Sequence, residues 1–246
     1  MPFDPKQLTH LSASAISDYV DCGLLYKFSR VDKLPPEFKS DALVYGTAIH
    51  AVLADFYQCL HEGRKISLTE LHSLFADHWR RLAWEREDLQ YKEGKDFDTL
   101  LLEGKELLSA FYHQLPEDEG EIVAIEEPFT CYLPELPLPL IGVYDLVWQD
   151  PGGTITIVDH KTTARAYSLS EVEKNFQLTI YQLAARVNGY EDRDILLRLD
   201  CLIKTKTPRF EQYYSTRSAF EEMKALKKIQ AVWRGISHGV FIPNEE

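Results

Sequence analysis

The run Ile155-Thr156-Ile157-Val158-Asp159-His160-Lys161-Thr162-Thr163 constrains this chain more than any other stretch. Its first four residues are β-branched, which fit a pleated, packed surface, so the run predicts a buried strand. That strand ends in Asp-x-Lys, and side chains two apart share a face. Asp159 and Lys161 therefore project together while His160 points the other way. A carboxylate and an ammonium at the end of a core strand can hold a metal ion and a water beside a phosphate. They can equally be an ordinary ion pair, and the choice depends on what else in the chain points at the same spot.

The other elements follow from periodicity. Ser12 or Ser14 is placed to cap a short helix that Cys22-Gly23 would end. Leu24, Leu25, Tyr26 and Phe28 then form an expected apolar anchor before the Pro35-Pro36 loop. Ile49, Leu53, Phe56 and Leu60 recur at three- and four-residue steps and predict a helix over 42–60, with His50 beside the stripe. Two more helices are predicted over 67–89, from Leu68, Leu71, Phe75 and Trp79, and over 98–113, from Leu101, Leu108, Phe111 and Tyr112.

Composition shifts at 116–119, and strands replace helices. A strand over 121–133, a rigid turn over 134–139 and a strand Leu140–Gln149 carrying Gly142 and Asp145 come first. The tight turn Asp150-Pro151-Gly152-Gly153 then leads into Ile155–Thr163, which makes the three an antiparallel meander. A helix capped by Ser168 or Ser170 is expected to run to Val187 and stop at Asn188-Gly189. Strands over 195–204 and 210–215 and a final helix over 218–236 complete the chain. This order predicts one α/β domain over 1–246, mainly helical over 1–115, with its sheet and flanking helices over 116–246.

At 45% hydrophobic and 27% charged residues the chain has a globular composition. The apolar stretch 136–143 is interrupted by prolines and is too short for a membrane span. Met1-Pro2-Phe3-Asp4-Pro5 has no secretion-signal pattern. Cys22, Cys59, Cys131 and Cys201 lie far apart without a CxxC pair, so a reduced, cytoplasmic protein is expected. The net charge of −12 argues against broad nucleic-acid affinity. Its distribution is uneven, because 200–239 holds eight Lys and Arg against four Asp and Glu. That excess predicts one basic face on an acidic body, or a solvated helix face with ordinary lysines.

Metal-dependent phosphodiester hydrolysis needs hard oxygen ligands, a positioned water and something to offset charge at the phosphorus and leaving oxygen. Asp145 and Asp159 sit on adjacent predicted strands joined by one short turn. Carboxylates brought together in this way repel, and a divalent cation relieves the repulsion. Lys161 suits water activation or charge stabilisation.

The motifs Gly142-Val143-Tyr144-Asp145, Val158-Asp159-His160-Lys161-Thr162-Thr163 and Gln177-Leu178-Thr179-Ile180-Tyr181 resemble the PD-(D/E)XK nuclease superfamily. The resemblance is to the branch containing the RecB nuclease domain and the CRISPR-associated nucleases that trim spacer precursors. Gly46-Thr47-Ala48-Ile49-His50 resembles that branch's helical motif with a metal-proximal histidine. Leu11-Ser12-Ala13-Ser14-Ala15-Ile16-Ser17-Asp18-Tyr19 resembles its N-terminal segment, and Gly239-Val240-Phe241-Ile242-Pro243 its ending. The resemblance implies a restriction-endonuclease-like α/β fold, a mixed β-sheet core flanked by helices with a helical N-terminal elaboration.

It further implies that His50, Asp145, Asp159 and the His160 backbone carbonyl bind Mg²⁺ or Mn²⁺ and that Lys161 assists catalysis. Gln177 and Tyr181, at i and i+4 on one helix face, would orient the active-site groups and touch the strand. Glu126 is a weaker metal candidate, since a strand-end carboxylate before a proline is usually solvated. Arg165 and Lys204 are candidate phosphate contacts, although surface cations are common. Many members of this branch hold a [4Fe–4S] cluster on one cysteine near the N-terminus and three near the C-terminus. Cys22 matches the first position, but no cysteine follows Cys201, so the iron–sulfur cluster is not supported. Either the chain is a cluster-free member or the natural protein extends further.

The expected function is a Mg²⁺- or Mn²⁺-dependent deoxyribonuclease, an exonuclease on single-stranded DNA or DNA ends. Its setting would be DNA repair and recombination or CRISPR spacer acquisition, with a helicase or adaptation protein as partner. The helical half would cover the cleft and favour threading of a single strand. The alternative is a nuclease-fold DNA-binding or scaffolding subunit of such a complex, and RNA is a third reading of the substrate.

Overall fold

The protein is seen here in a computed structural model that describes Pro5, residues 8–117 and residues 119–244. Residues 1–4, Lys6, Gln7, Asp118 in the composition shift, Glu245 and Glu246 lie outside the described residues. In chain order, α1 (Ala13–Asp21) and α2 (Gly23–Tyr26) lead through a π-turn at Lys27–Val31 to a two-residue strand, β1 (Lys39–Ser40). Then come α3 (Asp41–His61), α4 (Leu68–Ala83), β2 (Leu89–Gln90) and α5 (Phe97–Gln114). The second half contains β3 (Glu121–Cys131), β4 (Leu140–Gln149), β5 (Ile155–Thr163), α6 (Leu169–Glu173) and α7 (Phe176–Ala185). It closes with β6 (Ile195–Ile203), β7 (Arg209–Ser215) and α8 (Ala219–Ser237).

The main sheet has the order β3-β4-β5-β6-β7. The expected meander of β3, β4 and β5 is antiparallel, β5 and β6 are parallel, and β7 returns antiparallel. A parallel neighbour needs a crossover, and α6 with α7 supplies it. β5 is covered on both sides, as its apolar run requires. Ile155 and Ile157 pack with Leu178 and Ile180 of α7 and Ile229 of α8, whereas Val158 packs with Ile49 and Leu53 of α3 and Phe111 of α5. The fold is thus a mixed α/β sheet flanked by helices, with α3, α4 and α5 on one face and α1, α7 and α8 on the other. Among the described residues, no helix is long and apolar enough to cross a membrane.

Several local expectations are corrected. Gly23 does not terminate α1: Cys22 ends that helix in extended backbone and its sulfur caps the next, which Gly23 opens. Glycine is needed at this position because a Cβ would lie 2.8 Å from the Ile242 backbone nitrogen. Of the apolar anchor, Tyr26 is buried, while Leu25 and Phe28 are exposed. The helix expected over 67–89 stops at Ala83, and Leu89–Gln90 instead pairs with β1. The helix expected to run from Ser168 or Ser170 to Val187 is two helices, because Asn175 adopts extended backbone and its side chain caps α7 at Leu178. The cations of 200–239 are not all solvated. Arg217 is buried, Arg209 pairs with Glu211, and Lys228 lies over the Phe176 ring.

Arg217 fixes the α6–α7 break. Its guanidinium donates to the carbonyls of Val172 (2.9 Å) and Asn175 (3.1 Å), to Thr216 O and to Thr179 Oγ1. The Val172 carbonyl also accepts from the Asn175 N–H and the Asn175 carbonyl from Thr179, so the guanidinium adds a second donor to each in a buried corner. Arg217→Ala is expected to lower stability by roughly 2–4 kcal/mol, because it removes a buried guanidinium and all of its hydrogen bonds at once. Urea denaturation followed by circular dichroism checks this; a loss below about 0.5 kcal/mol would mean that the break holds itself.

Candidate active site

The site forms where two strands part. β4 and β5 pair from Gln149–Ile155 to Leu146–Val158, and the ladder stops there. Asp145 and Asp159 are the next residue on each strand, at the mouth of the fork. β4 remains held by β3, and β5 remains held by β6 as far as Thr163. Backbone groups released by a fork must find other partners. The His160 N–H does so by donating to Asp145 Oδ2 at 2.7 Å, so a carboxylate takes the place of a strand neighbour.

The alternation of β4 also breaks here. Tyr144 belongs to the core under α7, whereas Leu146, two residues on, belongs to the core under α3. Residues two apart share a face in a regular strand, so β4 turns over at Asp145. Across from it, Glu126 has φ +49°, between Ile125 opposite Leu146 and Glu127 opposite Tyr144. A left-handed glutamate is unusual and marks a position that its surroundings determine. The result brings one ligand atom each from His50, Glu126 and Asp145 within 4.8 Å of one another.

His50 comes from α3, with Nδ1 3.5 Å from Asp145 Oδ2. Gly46 lies one turn earlier on the same face, and a Cβ there would meet nothing within 4 Å, so the approach to His50 is open. Burial lowers the His50 pKa against the pull of Asp159, which keeps the imidazole neutral as a metal ligand must be. The His160 ring faces away from Asp159, as alternation predicts. It stacks on Tyr57 with centroids 5.5 Å apart, and complete burial pushes its pKa well down. Its backbone, not its ring, belongs to the fork, and His50 has a hydrogen bond with that backbone.

The other half of the site is a closed ring. Asp159 is 1% exposed, and its Oδ2 lies 2.8 Å from Lys161 Nζ. Lys161 also donates to Gln177 Oε1 (2.9 Å), Gln177 Nε2 donates to the Tyr181 hydroxyl (2.8 Å), and that hydroxyl donates to Asp159 Oδ1 (3.3 Å). Burial alone would lower the Lys161 pKa, but the charge and hydrogen bond of Asp159 outweigh it and the pKa is raised. Lys161 is therefore an ammonium at neutral pH. The Asp145 carboxyl is pushed up, first by burial and then by the charges of Asp159 and Glu126, against the His160 N–H and Lys161. One neutral imidazole and two crowded carboxylates fit a divalent cation, which relieves the repulsion that raises Asp145.

Asp159 itself is engaged by Lys161 and Tyr181, so the structure groups Glu126 with His50 and Asp145 at close range. The remaining sequence candidates lie elsewhere. Arg165 is exposed and clamps Glu171, the capping residue of α6. Lys204 is half-buried with Nζ 5.0 Å from the Tyr45 ring centroid. Cys22 caps α2, and its sulfur accepts from the Leu25 and Asn244 N–H groups. Periodicity gave no role to Tyr57 or to the buried pair of Arg198 and Asp200, 2.8 Å apart behind the His160 ring. The available signal was Leu197-Arg198-Leu199-Asp200, two charges in an otherwise apolar strand.

The split sheet, with carboxylates at its fork and a lysine two residues beyond, is the core of a nuclease class. The profile of the PD-(D/E)XK nuclease superfamily matches residues 10–246, and the chain belongs to that superfamily. A crystal structure of a candidate exonuclease from Eubacterium rectale aligns with 96% of this chain and 84% of its own at a TM-score of 0.57. At 14% identity that likeness is one of fold. The structure of the protein SSO0001 aligns with 89% of this chain and 83% of its own at 12% identity, but at a TM-score of 0.34 it carries no argument. No curated protein matches the chain.

The raised Asp145 pKa has a consequence for stability. The folded protein keeps a proton that the unfolded chain releases at lower pH. Stability is therefore full below the ordinary carboxylate range and is lost as pH rises through the raised pKa. Metal-free protein is expected to melt several degrees lower at about pH 8 than at about pH 5.5, with Asp145→Asn removing much of the difference. Mn²⁺ should restore the wild type at the higher pH but not the variant. Scanning calorimetry reads all three, and an unchanged pH slope in the variant would place the titration elsewhere.

Proposed function

We propose that this chain is a Mg²⁺- or Mn²⁺-dependent deoxyribonuclease, acting as an exonuclease on single-stranded DNA or DNA ends. The single observation that carries this reading is the fork itself. It gathers His50, Glu126 and Asp145 beside a ring of Asp159, Lys161, Gln177 and Tyr181. The exonuclease assignment draws on the description of the Eubacterium rectale neighbour and on the helical half that lies over the site. We read residues 1–246 as one domain serving DNA repair and recombination or CRISPR spacer acquisition, with a helicase or adaptation protein as partner.

His50, Glu126 and Asp145 would hold the metal, with Asp159 and the His160 carbonyl alongside. Bound there, a divalent ion supplies Lewis-acid polarisation of the phosphate and a hydroxide at neutral pH. Lys161, held as an ammonium by Asp159, is suited to stabilising negative charge at the phosphorus and leaving oxygen and unsuited to removing a proton. Gln177 fixes the direction of the Lys161 ammonium. Tyr181 donates to Asp159 and limits how far that carboxylate can turn. His50 contributes a neutral nitrogen and takes no proton from the water, since burial opposes its protonation.

The complete set of carboxylates and lysine favours an enzyme over a scaffolding subunit. End-labelled linear DNA, circular single-stranded DNA and RNA, incubated with Mn²⁺ and with EDTA, separate the readings. Cutting of linear DNA alone identifies an exonuclease, cutting of circles an endonuclease, and cutting of RNA alone the other substrate. Cutting of nothing favours the scaffold.

Asp159→Ala and Lys161→Ala are each expected to reduce cleavage by about 10³-fold or more, with folding and DNA binding retained. Full metal-dependent cleavage by Asp159→Ala would remove the site assignment. Gln177→Ala is expected to lower kcat by roughly 10–100-fold with KM nearly unchanged, because it orients Lys161 without supplying charge. A change in KM alone would instead make Gln177 a substrate contact.

A further inference from the structure

Two of the groups that face the metal position lean on one backbone unit. The His160 N–H donates to Asp145 Oδ2 at 2.7 Å, and His50 has a hydrogen bond with the same backbone. The ladder between β4 and β5 ends at Leu146 and Val158, so no strand neighbour on that side fixes His160. Whatever holds His160 from its other side therefore sets where Asp145 and His50 stand.

That hold is on the ring. The imidazole is buried and walled on four sides. Tyr57 stacks on its face with centroids 5.5 Å apart, and His50 meets it edge-on at 6.1 Å. A carboxylate faces each nitrogen: Asp145 Oδ2 lies 3.8 Å from Nδ1, and Asp200 Oδ2 lies 4.0 Å from Nε2. Both distances exceed a hydrogen bond, so the two carboxylates act on the ring by charge and keep its nitrogens turned toward them.

Asp200 is itself held by a brace that crosses the sheet. It stands opposite His160 on β6, and Arg198, two residues earlier, shares its face. Arg198 Nε is 2.8 Å from Asp200 Oδ1, and Nη2 donates to Oδ2 at 3.1 Å, a two-point grip that stops the carboxylate from turning. On β7, opposite this pair, Gln212 Nε2 reaches Asp200 Oδ2 at 3.5 Å, and the Tyr214 ring centroid lies 5.8 Å from the Arg198 guanidinium. Both charges are buried, and their desolvation offsets most of what their attraction gains. The pair therefore adds little net stability, and the polar side chain that it faces on β5 is His160.

We infer that Arg198 and Asp200 are positioning residues for the metal site. They lock the His160 ring and, through its backbone, the Asp145 carboxylate and His50, so metal affinity depends on a buried ion pair outside the ligand set. The inference rests on the metal-site reading above and needs no cleavage for its test.

Mn²⁺ binding is measured by isothermal titration calorimetry on wild type, Arg198→Met/Asp200→Leu and Arg198→Lys, with the melting temperature of each metal-free protein. The double variant replaces the pair with apolar side chains of similar size. It should melt within about 4 °C of wild type, while its Mn²⁺ dissociation constant rises about 10–100-fold. Arg198→Lys keeps the charge and loses the two-point grip, so it should weaken Mn²⁺ binding by a smaller factor, roughly three- to tenfold.

A double variant that binds Mn²⁺ with the wild-type constant would overturn the inference, whether or not it melts lower, because a merely structural pair moves only the melting temperature. If the double variant does not fold, Arg198→Lys decides: a wild-type constant overturns the inference and a weaker one sustains it. A wild type without Mn²⁺ affinity would remove the metal-site reading and this inference with it. A wild type that binds Mn²⁺ yet cleaves no nucleic acid would remove the nuclease reading alone.

Discussion

The parting of β4 from β5 is the constraint on which the rest of the structure depends. A sheet can open between two central strands only if each is held on its other edge. β5 has that support along its whole length, from Ile155 opposite Ile195 to Thr163 opposite Ile203. Because this second pairing is parallel, the chain must cross over the sheet between β5 and β6. The crossover carries α7, and α7 packs on the face toward which Asp159 and Lys161 project. The requirement that lets the fork open thus also delivers Gln177 and Tyr181 to it. Arg217 then ties the α6–α7 break to the segment after β7 by donating to the Val172 and Asn175 carbonyls.

The fork divides its charges unequally. On the α7 side, Asp159 is matched by Lys161, and neutral donors fill the remaining positions of the ring. On the α3 side, Asp145 and Glu126 face a neutral imidazole, so negative charge is left over. The raised Asp145 pKa expresses that imbalance, and a cation bound there corrects it. The same division explains why Lys161 remains charged in a largely buried position. Its partner is fixed by Tyr181, so the ammonium loses solvent without losing its counter-charge.

The central strands were legible because their signals are local. Leu140–Gln149 and Ile155–Thr163 are bounded by Pro and Gly turns and match their expected limits. The direction of the His160 ring followed from alternation alone. The break between α6 and α7 was not legible, since neither Gly nor Pro marks it: Asn175 caps α7 there, and the Arg217 that braces it lies far away in sequence. The grouping of Glu126 with His50 and Asp145 was not legible for a similar reason. Glutamate does not announce a left-handed backbone, and only the turnover of β4 at Asp145 shows why one is required there. The apolar anchor at 24–28 failed because clustered apolar residues in so short a helix cannot all face inward.

α3 unites what the fork separates. It packs on one face of the sheet, yet His50 reaches Asp145, whose strand turns over at that point, while Asp159 and Lys161 belong to the opposite face. The ligands therefore meet through the sheet, and no single layer contains the site. Tyr57 on the same helix stacks against His160, whose backbone holds the Asp145 carboxylate. Tyr45 lies at the far end, under Lys204. A helix with three such attachments cannot shift along its axis without disturbing all of them. The helical half is thus more than a cover on a preformed site: without α3 the ring of Asp159, Lys161, Gln177 and Tyr181 would still close, but the histidine that faces Asp145 and Glu126 would be absent.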